Sequence, residues 1–424
     1  MIHIRHLAST VFVVVLVCSL APVASAQYLL IPMDLEQSNH LRAYGHAFHT
    51  LQAGDNVTWL LNYRGGTFLM DDTPRARLDA RLLGVRYDVI DDAAVAAIRQ
   101  VVAQENMEEV LLEKPPRIAV YSPPNKQPWD DAVTLALTYA EVPYDVIYDP
   151  DLLSGRLNEY DWLHLHHEDF TGQYGKFYAS FGYEPWYLEQ KLFHEEMARN
   201  LGYPTVWQLK HAVAATIRTY VEGGGFVFAM CSATDTIDIA LAWLGTDIVP
   251  EPFDGTGMDP AWQTKSDFEA TFAFRDFRLT TNPLVYEFSD IDTSNYAAMR
   301  GAMADYFTLF AFAAKYDPVP AMLTQNHVNV INGFLGQTTG YQRRHLKRAV
   351  TVLAAVEGTD EVKYIHGKRG LGTWTFLGGH DPEDYQHRVG DPPTDLDLYP
   401  TSPGYRLILN NVLFPAARKK PQKT

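Results

Sequence analysis

The chain has 424 residues, 47% of them hydrophobic and 12% aromatic, which excludes a disordered or fibrous protein and leaves room for two α/β units with real cores. A formal net charge of −16 at pH 7 argues against nucleic acid or an anionic membrane as the main partner. Beyond the amino-terminal stretch there is no run of about 18 apolar residues, so no membrane span is expected.

Residues 1–26 read as an export signal. Arg5 stands in a weakly basic start, 11–20 is an apolar run, and Ala24-Ser25-Ala26 fits the small-residue cleavage rule, so cleavage is expected before Gln27, with release to a periplasm or beyond. Only Cys231 then remains of the two cysteines. A lone cysteine makes no internal disulfide, so it is either a buried small hydrophobe or a reactive thiol.

A strand at 28–32 is followed by apolar residues at helical spacing from Leu41 to Leu51, a strand at 57–61, the turn Arg64-Gly65-Gly66, a helix over 74–83, a strand at 86–90 and an Ala-rich helix over 92–106. This is a small α/β unit spanning 27–113. Lys114-Pro115-Pro116 marks a boundary, and a larger unit over 114–416 begins with a strand at 117–121. Its further elements are a helix over 129–139, strands at 144–148 and 161–166, a helix over 206–221 and a strand at 226–230. Such alternation predicts an α/β fold with a parallel sheet, helices on both faces, and ligands beyond the carboxyl ends of the strands. Further on, 268–274 alternates as a strand would and 296–316 has helical spacing. Residues 417–424 form a basic tail expected to fray.

Three polar bursts fall where strands should end. Gly223-Gly224-Gly225 precedes the apolar run 226–230, then Cys231-Ser232 meets a helix start, which is the pattern of a nucleophile elbow. After 161–166 comes His166-His167-Glu168-Asp169. As a substrate-site wall these residues would hold polar groups; as a metal site, His164, His166 and Glu168 would be the ligands; as a structural cluster they would only bond one another. The apolar run 371–377 ends in Gly378-Gly379, followed by His380, Asp381 and Glu383. A thiol with a histidine and a nearby acid is what thiol-based acyl transfer requires. His327 lies in a loop rich in hydrogen-bonding groups and is a secondary candidate for substrate binding, as is Ser232. The aromatic crowding over 172–203 suits a core, or sugar or peptide stacking.

The run Gly224-Gly225-Phe226-Val227-Phe228-Ala229-Met230-Cys231, with Gly378-Gly379-His380-Asp381-Pro382-Glu383 downstream, resembles the class I glutamine amidotransferase-like superfamily, including its ThuA-like branch, over roughly 116–415. That resemblance implies a flavodoxin-like core, Cys231 as nucleophile and His380 as base. The superfamily's acid stands two residues after the histidine, where this chain has Pro382, so Glu383 or Asp381 would substitute. The whole mature chain is also similar to exported bacterial proteins labelled asparagine synthetase B, through 60–66 and 166–173, although it has no Ser-Gly-Gly-x-Asp-Ser loop. The expectation is an exported, cofactor-independent cysteine hydrolase or amidase acting on a small-molecule or peptide amide. A non-catalytic binding protein on the same scaffold and a metal-dependent hydrolase are the alternatives.

Overall fold

The computed structural model describes residues 27–418 apart from Lys126 and Pro128; the export signal read over 1–26 and the end of the basic tail lie outside the described residues. The amino-terminal unit carries strands β1 (Gln27–Ile31), β2 (Val57–Leu61), β3 (Thr67–Asp71), β4 (Asp88–Asp91) and β5 (Glu108–Leu112) in the order β4-β1-β3-β2-β5. Every pairing in this sheet is antiparallel. Arg64-Gly65-Gly66 turns the chain from β2 to β3 with three successive positive φ angles, and β3 itself was missed from sequence.

The second sheet contains β6 (Ile118–Tyr121), β7 (Asp145–Ile147), β8 (Trp162–Leu165), β9 (Phe226–Met230), β10 (Tyr306–Leu309), β11 (Val330–Asn332), β12 (Tyr341–Gln342), β13 (Thr351–Ala355), β14 (Glu361–Arg369) and β15 (Gly372–Leu377). Their order is β11-β10-β13-β14-β15-β9-β8-β6-β7, with β12 on β14. The run β15-β9-β8-β6-β7 is parallel. From β11 to β15 the pairing is antiparallel, so the sheet is mixed where the alternation predicts a parallel one. The reason is local: β14 and β15 are joined by a tight turn at Gly370 and Leu371, which only an antiparallel pair permits.

Apart from the edge strand β7, the parallel strands are covered on both faces, which is why they read as apolar runs. Val120, Trp162, Phe226 and Phe228 pack with helices Ala132–Tyr139 and Pro403–Leu413 on one side. Ala119, Leu163, Val227 and Ala229 pack with helices Val206–Glu222 and Ala233–Ala242 on the other. The first of these cores continues into the amino-terminal unit through helix His40–Gln52.

Two expectations fail for visible reasons. Residues 268–274 form a turn-rich loop, because the N–H groups of Phe272, Ala273 and Phe274 all donate to the buried carboxylate of Asp238, at 2.6, 2.7 and 2.9 Å. The helical spacing over 296–316 yields only helix Ser294–Arg300, since Gly301 at φ 71° turns the chain and Tyr306–Leu309 then enters the sheet. At the other end, Arg418 does not fray: its N–H donates to Leu111 O at 2.8 Å. Among the described residues, no helix is long and apolar enough to cross a membrane.

Candidate functional site

Leu165 is level with Ala229, and Leu377 with Met230, so β8, β9 and β15 release His166, Cys231 and Gly378 at one carboxyl edge of the sheet. Cys231 adopts φ 50°, a left-handed conformation that costs a non-glycine residue about 1–2 kcal/mol. The surroundings hold it there: Cys231 N–H donates to Gly379 O at 3.2 Å, Ala233 N–H to His166 O at 2.9 Å, and Thr234 Oγ1 to Cys231 O at 2.7 Å. The elbow geometry read from sequence is therefore present. Its thiol is another matter. Sγ is buried and accepts the Gln337 N–H at 3.3 Å. Burial pushes the thiol up to about 11, against the lowering effect of the N–H groups of Gln337, Ser232 and Thr338. Ser232 is buried, and its Oγ has no hydrogen-bond partner.

Among the described residues, no hydrogen bond joins Cys231 to His380. The His380 ring reaches instead over the end of β9 to the residues that follow β8. Its centroid lies 4.5 Å from that of His166 and 6.0 Å from that of His167, and it stacks on His387 at 4.7 Å with the planes 3° apart. Burial, then the neighbouring imidazoles of His166, His167 and His387, hold the His380 ring well below the usual histidine range. Its backbone N–H is tied to Leu335 O at 2.8 Å.

The proposed acids bond elsewhere. Asp381 is fully buried and accepts the Glu383 N–H at 2.9 Å and the Thr394 hydroxyl at 2.8 Å. Glu383 bonds Ser402, and burial raises its carboxyl. Neither is placed to fix the His380 tautomer, because the Asp381-Pro382-Glu383 turn uses these side chains to anchor itself against the last helix.

His166, His167 and His380 each bring a ring nitrogen within 4.8 Å of the other two. Among the described residues, the buried His166 Nε2, His167 Nδ1 and His380 Nδ1 have no hydrogen-bond partner. His166 Nδ1 lies 3.3 Å from Asp131 Oδ1, and His164 Nε2 lies 3.2 Å from Asp131 Oδ2. Neither contact is aligned as a hydrogen bond, but a carboxylate this close to Nδ1 favours the proton there and leaves the Nε2 lone pair for a ligand. Asp131 also caps helix Ala132–Tyr139, accepting the Val133 and Thr134 N–H groups at 2.7 and 3.0 Å. Burial pushes its carboxyl up, but the imidazoles of His164 and His166 outweigh burial and hold it well below the usual carboxylate range. Burial also holds His167 well below its usual range, with His166 adding to the effect.

The ligand set read from sequence is not assembled as expected. His164 is fully buried, with Nδ1 3.1 Å from Phe228 O, and shares Asp131 with His166. Glu168 turns away into a neighbouring cleft, where burial pushes its carboxyl up to about 8. Asp169 spends its carboxylate on its own loop, accepting Thr171 N–H at 2.7 Å, Thr171 Oγ1 at 2.6 Å and Gly175 N–H at 3.0 Å. His327 belongs to a different cluster, stacked on His40 at 4.2 Å and 3.3 Å from Arg406 Nη1.

Sequence reasoning missed Asp131 and His387. Asp131 follows β6 and begins an apolar helix, so the same carboxyl-end rule would have found it. His387 lies between Asp130 and Asp384, at 2.7 and 3.0 Å, and clamps the strap after His380 to the segment after β6.

No family model and no curated protein matches the chain. Among solved structures, two cytoplasmic proteins of Salmonella typhimurium align at 11% and 12% identity, covering 72% and 71% of this chain and 100% of each of those chains, with TM-scores of 0.34 and 0.37. Likeness at that level carries no argument about function.

Proposed function

We propose that this chain is an exported, metal-dependent hydrolase of C–N bonds whose ion is held by His166, His167 and His380. The observation that carries the reading is the meeting of three ring nitrogens within 4.8 Å at the carboxyl edge of the sheet. Three imidazoles suit a divalent ion such as zinc, which when bound would activate a water or polarise a carbonyl. Asp131 orients His166 from behind, and His387 buttresses the His380 ring. The parallel strands in the order β7-β6-β8-β9-β15, numbered along the chain, run 2-1-3-4-5; this supports a flavodoxin-like core of the class I glutamine amidotransferase-like kind.

The test is amide hydrolysis by the full mature chain before and after chelation, with zinc or manganese restored. Loss on chelation, recovery on re-addition, and loss in H380A are expected. Activity indifferent to chelation refutes the reading.

A second reading, the cysteine hydrolase, is favoured by the left-handed elbow at Cys231 and the N–H groups around its sulfur. C231A separates the two: the metal reading expects activity to survive, the thiol reading expects it to vanish.

A further inference from the structure

Beside the histidines, a shallow, partly open cleft lies between the segments that follow β6 and β8; its roughly 560 Å³ of empty space includes open solvent. In a sheet of this strand order, β6 and β8 flank the topological switch point, where ligands bind in α/β folds. Trp129, Phe177, Trp186 and Tyr187 line it, with Glu168 and Lys210 among its polar groups. The rings pack on one another along one side of the cleft: Trp129 lies 5.2 Å from Phe177 at 32° and meets Trp186 edge-on, 5.6 Å away at 83°. His167 belongs both to this lining and to the histidine group, and its ring meets Trp129 edge-on at 5.2 Å.

The polar groups of the cleft define what fits. Among the described residues, the buried Trp129 indole N–H has no partner. Glu168 is buried on the cleft, and among the described residues its carboxyl makes no hydrogen bond. Lys210 is not available for an anion, since Nζ already contacts both Asp149 oxygens at 3.1 and 3.0 Å and donates to the hydroxyls of Tyr121 and Tyr148 at 2.8 and 2.9 Å. An unused donor and an unused carboxyl beside an aromatic wall call for hydroxyl groups, which both give and accept hydrogen bonds, carried on a body with a flat apolar face.

We propose that this cleft is a binding site for a neutral saccharide, the sugar face lying against the Trp186 ring and its hydroxyls on Glu168 and the indole N–H. For an N-acylated sugar this names the substrate class of the hydrolase reading and rests on it for turnover; binding itself needs no metal.

The test is titration of the full mature chain, stripped of metal by chelation, with cellobiose and with N,N′-diacetylchitobiose, read by calorimetry and tryptophan emission. Saturable binding of at least one disaccharide is expected, weakened about tenfold or more in W186A, as loss of one stacking partner implies. E168Q, which keeps the side-chain volume, should also weaken binding, and W186F should retain part of it. No binding of either sugar at tens of millimolar, or W186A equal to the parent chain, overturns the proposal. So does binding of choline or of an acetylated phenylalanine amide in place of the sugars. Acetate release from diacetylchitobiose by the metal-loaded chain is a separate reading. Binding of diacetylchitobiose without release removes it as a substrate of the hydrolase and leaves the cleft standing.

Discussion

Asp131 is the residue whose replacement separates two roles. Its carboxylate accepts two N–H groups at the start of helix Ala132–Tyr139 and stands 3.3 Å from His166 Nδ1 and 3.2 Å from His164 Nε2. D131N keeps an oxygen for the cap, since asparagine caps as well as aspartate, but removes the charge behind His166. Loss of such a supporting carboxylate weakens metal affinity about 10–100-fold, or about 1.4–2.7 kcal/mol. D131A loses the cap as well, at a further cost of about 0.5–2 kcal/mol of fold stability. Zinc titration by calorimetry together with thermal melting of the metal-free chain reads the two effects apart. D131N should melt near the parent and bind zinc more weakly; D131A should do worse on both. Unchanged zinc affinity in D131N refutes the role assigned to this carboxylate, and a D131N melt as low as that of D131A refutes the cap argument.

Other expectations follow from single contacts. With the thiol raised to about 11 and buried, Cys231 should react with iodoacetamide at pH 8 at least roughly a hundredfold more slowly in the native chain than in urea, where a free thiol titrates near 8.5; equal rates would show an accessible thiolate. Gly379 sits at φ 95° and a Cβ there would lie 2.4 Å from Phe334 Cδ2, so G379A should displace His380 and lower metal affinity, measured against a melt that reports the accompanying loss of stability. In the amino-terminal unit, burial pushes the Asp79 carboxyl up, but hydrogen bonds from His46 and His49 outweigh it and hold it below its ordinary 3.8. A depressed acid stabilises the fold above its unfolded value and loses that contribution as pH falls below it. The melting-temperature gap between the parent and D79A should therefore narrow as pH drops below 4, and a gap independent of pH would remove Asp79 from the account.

Much of the frame could be read from residues alone. The apolar runs 118–121, 162–165, 226–230 and 372–377 are strands because each is covered on both faces, and the polar bursts after the last three do end strands. What remained hidden depended on contacts distant in sequence. Whether His380 faces Cys231 or His166 is decided by the stack of His387 on its ring and the anchoring of Asp381 by Thr394, neither of which leaves a periodic trace. Helix Pro185–Asn200 was obscured by its aromatic crowding, which serves both the core and the cleft wall. Among the antiparallel strands, β14 was illegible because it is buried on both faces from Glu361 to Gly367, so no alternation marks it.

The central claim is that His166, His167 and His380 bind one divalent ion. Equilibrium zinc titration of the metal-free chain measures it directly, alongside H166A, H167A and H380A. The account predicts one tight site per chain, lost or severely weakened in each variant and untouched in C231A. A parent chain that binds no zinc or manganese, or a site that survives all three histidine replacements, would contradict it.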